Sequence, residues 1–289
     1  MNGPVSVAGD GTSVWSRLVF AEENPYFRAM QFTRLLYEVN DRRALITLNR
    51  PDKRNALDDT MVKELTLAFS SAGKDQNAKV IVLNANGPAF CAGADLDHLH
   101  RLSAFNLEEN RSDSQQLAQL FRVVYELRKP VIAVVDGPAL AGGCGLATVC
   151  DFVVASVENA KFGYTEVRIG FIPAVVMVFL IKRVGEGKAR ELILRGNIIT
   201  ATEAKEIGLI NVVAPSSELD EAVNKLVDES LQKNSGTAMG LCKEMLSKLP
   251  GMNFMDALDF ATNMNAAARM TPECKQGINA FLKGDKIQW

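Results

Sequence analysis

The chain has 289 residues, of which 47% are hydrophobic, and its 32 basic side chains nearly balance its 34 acidic ones. A chain of this length and hydrophobic content can bury one large core, with or without a smaller appendage. The charges are interspersed, and no basic block predicts a nucleic-acid partner or a membrane surface.

Cysteine content and hydropathy restrict the class of protein further. The five cysteines are odd in number and form no C-x-x-C pair. This argues against a disulfide framework or a structural zinc site and favours a reducing, cytoplasmic location. The longest apolar stretch, residues 171–181, is too short to span a bilayer and contains Pro173, so we interpret it as a buried segment. Residues 1–29 show no clear period, resemble no signal or transit peptide, and form an extension of unknown role.

A first unit of two strands and a helix is predicted near the start of the compact domain. Residues 35–39 and 44–48 have the pattern of two strands joined by a polar turn. Asp58 then takes the place of a helix N-cap, and the helix is expected to end near Gly73. Apolar residues recur on one face of this helix at three- and four-residue spacing: Met61, Leu65, Ala68 and Ala72.

Strands and helices continue to alternate along the rest of the chain. Further strands are predicted at residues 80–83, 131–135, 152–155 and 210–213. A helix is predicted at about residues 113–127, and a short one runs from the end of the loop at Gly145 through Val149. Three or four more helices are predicted beyond Pro215.

Two glycine-bearing loops, residues 90–95 and 137–145, each follow a β-branched strand. At such a place a chain can aim free backbone N–H groups at a ligand. A pair of these loops predicts a two-donor oxyanion hole, which stabilises negative charge on a carbonyl oxygen, typically by several kcal/mol. The chain is therefore predicted to be an enzyme.

Four motifs follow one another in a defined order between residues 30 and 286. They are RPDKRNAL at 50–57, FCAGAD at 90–95, DGPA at 136–139 with Gly142-Gly143, and Cys150-Asp151. Together they resemble the enoyl-CoA hydratase/isomerase (crotonase) superfamily, and several ordered motifs are more specific than one glycine loop.

The resemblance implies an α/β fold, with a crotonase-like spiral of repeated ββα units at residues 30–215. A helical C-terminal trimerisation region would follow at residues 216–289. The resemblance also implies a homotrimer or hexamer. Its substrate would be an acyl-CoA thioester, with no separate cofactor because coenzyme A is part of the substrate.

The same resemblance assigns roles to individual residues. The backbone N–H groups of Ala94 and Gly142 would hold the thioester oxygen, the second from a helix N-terminus where the macrodipole favours negative charge. Residues expected along the bound coenzyme A thioester are Arg54, Ala56, Leu57, Ala92, Asp95, Gly143 and Pro173. Phe281 and Lys283 or Lys286 would close over the nucleotide from a neighbouring subunit, although Gly284-Asp285 interrupts the usual ending.

One of the two glutamates that hydratases of this superfamily use is missing. The first would follow the Gly-Gly-Cys segment, where this chain has Gly145, and the second is present as Glu166. Losing one member of an acid/base pair typically costs a factor of about 10² to 10⁴ in rate. A double-bond shift needs one base, so we predict an enoyl-CoA isomerase with Glu166 as that base.

Other reactions stay open on the sequence alone. A hydratase would need a replacement acid, for which the predicted helix offers Glu108, Glu109 or Glu126. Decarboxylation of a β-carboxylated thioester needs the oxyanion hole and little else, and a non-catalytic acyl-CoA binder would also account for Gly145. Residues 174–177 replace a glycine-rich stretch of the superfamily and predict a tighter, more apolar acyl pocket.

The remaining polar residues near these motifs have structural interpretations. Asp95 and Asp151 follow tight turns, where aspartate usually caps backbone N–H groups. His98 and His100, beside Asp97, are predicted to be loop or rim residues, and no metal is expected, because histidines two apart do not share a helix face.

Three further residues near the motifs are assigned to packing. Cys91 and Cys144 flank the predicted donors and are predicted to pack rather than attack, since no histidine stands at a partner spacing. Tyr164 is predicted to form pocket wall.

Overall fold

The computed structural model describes residues 32–289, so the predicted extension at residues 1–29 lies outside the described residues. The strands in chain order are β1 (Leu35–Asn40), β2 (Arg43–Leu48), β3 (Val80–Ala85), β4 (Val131–Val135), β5 (Pro138–Leu140), β6 (Phe152–Ser156), β7 (Lys161–Gly163), β8 (Ile198–Thr200) and β9 (Val212–Ala214). The helices are α1 (Asp59–Lys74), α2 (Leu96–Leu102), α3 (Leu107–Glu126), α4 (Gly142–Thr148), α5 (Ala174–Arg195), α6 (Ala201–Glu206), α7 (Leu219–Leu226), α8 (Gly236–Lys248), α9 (Phe254–Met270) and α10 (Pro272–Lys283).

The strands divide between two sheets. The larger sheet has the order β1-β2-β3-β4-β6-β9, and the smaller one has the order β5-β7-β8. β1 is antiparallel to β2, whereas the other neighbours in the larger sheet are parallel. β4 and β5 lie in different sheets before α4, and β6 and β7 do so before α5. This repetition is the predicted ββα spiral.

The first ββα unit matches its prediction closely. The Asp58 side chain accepts a hydrogen bond from the backbone N–H of Met61 at 2.7 Å and so caps α1. The buried face of the helix consists of Met61, Leu65, Ala68, Phe69 and Ala72. The helix ends at Lys74, one residue beyond the predicted glycine.

Several predicted boundaries differ from the structure. α3 begins at Leu107 rather than near residue 113, because Asn106 and Glu109 form a capping box at its start. The last strand is 212–214 rather than 210–213. The apolar segment 171–181 is not uniformly buried: it enters α5, which buries Val176 and Leu180 and leaves other apolar side chains exposed. β5, β7, β8, α2, α5 and α6 were not predicted.

Alternate residues along the strands point to opposite faces of the larger sheet, and each face belongs to a separate hydrophobic cluster. One face, with Ala44, Ile46 and Leu48 of β2, packs against the main core. The other face, with Leu45 of β2, packs against Leu219 and Val223 of α7 and against Val227, which follows that helix. The site described below lies on the main-core side.

The C-terminal region is helical, as predicted. Lys243 of α8 is buried and donates to the Asp151 carboxylate at 2.5 Å and to the carbonyl of Lys129 at 3.0 Å. Asp151 also accepts from the backbone N–H of Val131 at 2.7 Å, so it joins α8 to the sheet. Within residues 32–289, no helix is long and apolar enough to cross a membrane.

Candidate active site

The first candidate oxyanion donor, Ala94, lies in a loop held tightly on both sides. The N–H of Leu57 donates to the carbonyl of Gly93 at 2.7 Å, and the N–H of Asp95 donates to the carbonyl of Leu57 at 2.9 Å. Gly93 has φ +94°, which glycine adopts at little cost. Among the described residues, the N–H of Ala94 has no hydrogen-bond partner and is free for a ligand.

The second candidate donor, Gly142, is the first residue of α4. The first N–H groups of a helix have no partner within it, and the helix dipole adds positive potential there. Ala141 before it has φ +49° and ψ −125°. Its backbone N–H donates a hydrogen bond to the carbonyl of Gly163 at 2.7 Å. Such strain in a non-glycine residue is typical of functional sites.

The two donor loops approach each other closely. The N–H of Leu140 donates to the carbonyl of Cys91 at 2.9 Å. A Cβ atom on Gly143 would lie 2.2 Å from the same carbonyl oxygen, so only glycine fits at this position. This contact brings Ala94 and Gly142 to the wall of one cavity.

That cavity has a volume of about 410 Å³ and a mainly apolar wall. Among the predicted site residues, those that line it are Ala94, Gly142, Glu166, Leu57, Ala92 and Pro173. Residues 174–176 also line it, in agreement with a tight apolar pocket. A cavity of this kind, with a few converging polar groups, is the usual form of a small-molecule site.

Glu166 begins a short helical turn after β7 and lines the cavity with both candidate donors; Asp58, Asp59 and Asp113 line the same cavity. Its Oε2 atom is buried and has no hydrogen-bond partner among the described residues. Burial raises the pKa of Glu166 above its usual value. A carboxylate with a raised pKa is a stronger base when ionised, as abstraction of a carbon-bound proton requires.

The space beside Gly145 is filled. A Cβ atom built on Gly145 would lie 2.2 Å from Cγ1 of Val176 and 3.1 Å from Cε1 of Phe121. Val176 is 3% exposed and belongs to the first turn of α5. A second glutamate cannot occupy this position while Val176 is present.

A charged cluster in the same cavity was missed by the sequence analysis. His98 is not a loop residue: it is a buried residue of α2, whereas His100 on the same helix is exposed. The His98 Nε2 atom is 2.9 Å from Asp113 of α3, and its Nδ1 atom is 3.2 Å from Asp59 of α1. The three partners come from three helices, so no local spacing identifies them.

This cluster also satisfies a distance criterion for metal ligands, because Asp59, His98 and Asp113 each offer an atom within 4.8 Å of the others. However, these atoms already bond to one another. The guanidinium of Arg101 lies 3.1 Å from His98 Nδ1 and 3.3 Å from Asp59, which supplies positive charge at that place. We assign no metal to the cluster.

Other predicted site residues lie away from the cavity wall. Asp95 is buried, caps α2 and accepts from Arg50 at 2.7 Å. Burial opposes its ionisation, but the Arg50 and backbone hydrogen bonds outweigh it and lower the pKa of Asp95. The cavity wall also does not include Arg54, Ala56, Gly143, Phe281 or Lys283. Their roles toward coenzyme A stay predictions.

The three glutamates proposed as a replacement acid also lie away from the cavity wall. Glu109 bonds the backbone N–H of Asn106 at 2.8 Å, and Glu126 pairs with Arg122 at 3.7 Å. Glu108 is an exposed residue of the first turn of α3.

The two cysteines beside the donor loops and Tyr164 are buried packing groups. Burial raises the pKa of both Cys91 and Cys144 to about 12, which opposes thiolate chemistry. The prediction that Tyr164 forms pocket wall is wrong, because Tyr164 does not line the cavity: it is fully buried, and its hydroxyl hydrogen-bonds that of Thr148 at 2.9 Å.

Comparison with known proteins agrees with this fold. Residues 38–289 match the family model described as enoyl-CoA hydratase/isomerase. The chain is 44% identical over 241 residues to a putative enoyl-CoA hydratase of Thermus thermophilus, covering 83% of this chain and 94% of the relative. It is 32% identical to a short-chain-enoyl-CoA hydratase of Clostridium acetobutylicum, with coverage of 90% and 98%.

A solved structure shows the same architecture. The crystal structure of an enoyl-CoA hydratase from Shewanella pealeana matches with a TM-score of 0.84 and 32% identity, covering 90% of this chain and 97% of that one. The fold and the paired donor loops therefore define an acyl-CoA enzyme of the crotonase type. The chain belongs to the enoyl-CoA hydratase/isomerase family.

Proposed function

We propose that the protein shifts the double bond of a 3-enoyl-CoA thioester to give the 2-enoyl-CoA isomer. One observation carries the proposal: the cavity combines Glu166 with two N–H donors that have no partner within residues 32–289, while Val176 fills the space beside Gly145. A double-bond shift needs an oxyanion hole and a base, and it adds no water. These groups meet that requirement.

In the proposed reaction, the thioester oxygen accepts from the N–H groups of Ala94 and Gly142. The ionised Glu166 removes a proton from C2, and the electron pair enters a dienolate whose charge rests on that oxygen. A proton is then delivered to C4, and the double bond forms between C2 and C3. Each oxyanion donor typically lowers such a barrier by about 3–4 kcal/mol.

The setting of the enzyme is also a proposal. The scheme uses no cofactor beyond the coenzyme A of the substrate. A homotrimer or hexamer is supported by large exposed apolar side chains on α9 and α10, among them Phe254, Leu258, Ile278 and Phe281. A cytoplasmic location is supported by the five cysteines, which are all free.

Hydration of a 2-enoyl-CoA is the second candidate. The names of the Thermus and Clostridium relatives favour it. It would require a second acid in addition to Glu166, because addition of water moves protons at two centres. Decarboxylation and binding without turnover are further outcomes of the same test.

The test follows 3-enoyl-CoA and 2-enoyl-CoA separately by mass spectrometry and ultraviolet absorbance. Isomer formation without a mass gain of water, lost in Glu166→Gln and retained in Glu126→Gln, would support the proposal. Glu126 is an exposed glutamate of α3 and serves as the matched control. Addition of water by the unmodified protein would instead establish the hydratase, and conversion of neither substrate would remove both candidates.

A further inference from the structure

We propose that Tyr164 is a positioning residue for the double-bond shift, because its hydroxyl holds the turn that carries Glu166 against α4, the helix that begins with the donor Gly142. The inference rests on the proposed function and refines it: it names a contact that sets the separation of the base from an oxyanion donor. Tyr164 does not line the cavity, so it acts through these groups.

The contact joins the end of α4 to the segment before Glu166. The hydroxyl of Tyr164 lies 2.9 Å from that of Thr148, and both side chains are buried. Thr148 Oγ1 donates its single proton to the carbonyl of Cys144 at 2.9 Å, so the Tyr164 hydroxyl is the donor to Thr148. Burial raises the pKa of Tyr164 well above its usual value, which keeps this proton on the hydroxyl.

A second contact joins the same two segments at the start of α4. β5 pairs with β7, and the backbone N–H of Ala141 donates to the carbonyl of Gly163 at 2.7 Å. Gly142 follows Ala141 directly. Glu166 lies two residues beyond Tyr164, which is at most about 7 Å along the chain. The backbones of the proposed donor and of the base are therefore each within two residues of a contact between the segments.

The side chain of Glu166 has little support of its own. Its Oε2 atom is buried and has no hydrogen-bond partner within residues 32–289. The place of this oxygen therefore depends on the backbone of the short turn that begins at Glu166. A base must stand about 3 Å from the proton that it removes. A misplacement of about 1 Å can cost a factor of about 10² in rate.

Packing alone does not account for the tyrosine hydroxyl. A phenylalanine ring would fill the same buried space without a polar group that needs a partner. The hydroxyl adds a directional hydrogen bond between α4 and the segment that follows β7. A bond of defined length between donor and base segments is what a positioning residue supplies.

Tyr164→Phe removes the hydroxyl and keeps the ring. Its rate is measured with a 3-enoyl-CoA, and calorimetric titration with saturated hexanoyl-CoA counts the thioester-binding sites and gives their affinity. We expect kcat per binding site to fall by about tenfold, with KM and the affinity for hexanoyl-CoA unchanged. The loss stays below a factor of about 10² because the pairing of β5 with β7 remains. A merely structural role would lower the number of sites and leave kcat per site unchanged.

Variants of Thr148 test the same bond from its other side and cover the case in which Tyr164→Phe does not fold. Thr148→Val removes the acceptor at nearly constant shape and is expected to lower kcat per site in the same way. Thr148→Ser keeps a hydroxyl and is expected to retain most of the rate. Tyr125→Phe is the matched control, because Tyr125 is a half-buried tyrosine of α3 away from the cavity wall, and kcat per site should not change.

A Glu166→Gln background shows whether the effect passes through the base. Tyr164→Phe is expected to leave the residual rate of that protein unchanged, because groups that act as a unit do not contribute additively. An unchanged kcat per site in Tyr164→Phe, or an equal loss with and without Glu166, would overturn the inference and leave the isomerase standing. So would an equal loss in Thr148→Ser and Thr148→Val. Absence of isomerisation by the unmodified protein would instead remove the proposed function, and this inference with it.

Discussion

The contact between Gly145 and Val176 leads to a quantitative prediction for Gly145→Ala. The new Cβ would stand 2.2 Å from Val176 Cγ1, whereas two carbon atoms in contact lie about 3.5 Å or more apart. The shortfall is therefore about 1.3 Å. Val176 is buried, and its β-branched side chain has one strongly preferred rotamer in a helix. Moving it to another rotamer to relieve the overlap would therefore cost free energy.

The expected magnitude combines two opposing effects. Replacing a helical glycine by alanine normally stabilises a protein by about 0.5–1 kcal/mol. Inserting a methyl group into a packed core costs about 1–3 kcal/mol. Because the overlap is severe, we expect a net loss of about 1–2 kcal/mol in the free energy of unfolding.

Urea unfolding at one protein concentration, followed by circular dichroism, measures this loss. Gly187→Ala is the matched control, since Gly187 lies in α5 and its Cβ would meet nothing within 4 Å. That variant is expected to gain about 0.5–1 kcal/mol. In a Val176→Gly background, Gly145→Ala should become neutral or stabilising. An equal cost of Gly145→Ala in both backgrounds would refute the reasoning.

Three further predictions concern stability. Burial raises the pKa of Glu166, so its ionisation lowers the free energy of unfolding as the pH rises above about 4.5. Glu166→Gln should therefore be more stable than the unmodified protein at pH 7.5 but not at pH 4. Urea unfolding at each pH measures the difference. Ala141→Gly relieves a positive φ and should gain about 1 kcal/mol, measured as a higher melting temperature. Asp151→Ala leaves the buried Lys243 without its carboxylate and should cost about 3 kcal/mol, more than Lys243→Met costs, in chemical unfolding.

Elements with a long, regular pattern could be predicted from the sequence. α1 has an N-cap and five buried residues at helical spacing, and β4 is a run of five apolar residues that the structure reproduces. The strands of the smaller sheet have three residues each, too few for a period to be visible. Their pairing depends on contacts between distant turns of the spiral.

The candidate site was also only partly predictable from the sequence. The donor loops could be predicted from local sequence, because glycine at 93 and at 143 reflects a turn and a close backbone contact. The charged cluster around His98 does not, since its carboxylates arrive from α1 and α3. The sequence also shows that Gly145 lacks a carboxylate, but only the packing of α5 shows that Val176 occupies the space.

The two proposed oxyanion donors are main-chain groups, and this affects how the site can diverge. Exchanging the side chain at position 94 leaves its N–H in place, unless proline is introduced. A substitution at a side chain of the cavity wall does change the group that lines the cavity, and each wall residue can be replaced on its own. A lineage with this scaffold can thus acquire a different reaction through its wall residues while it inherits the same means of holding a thioester.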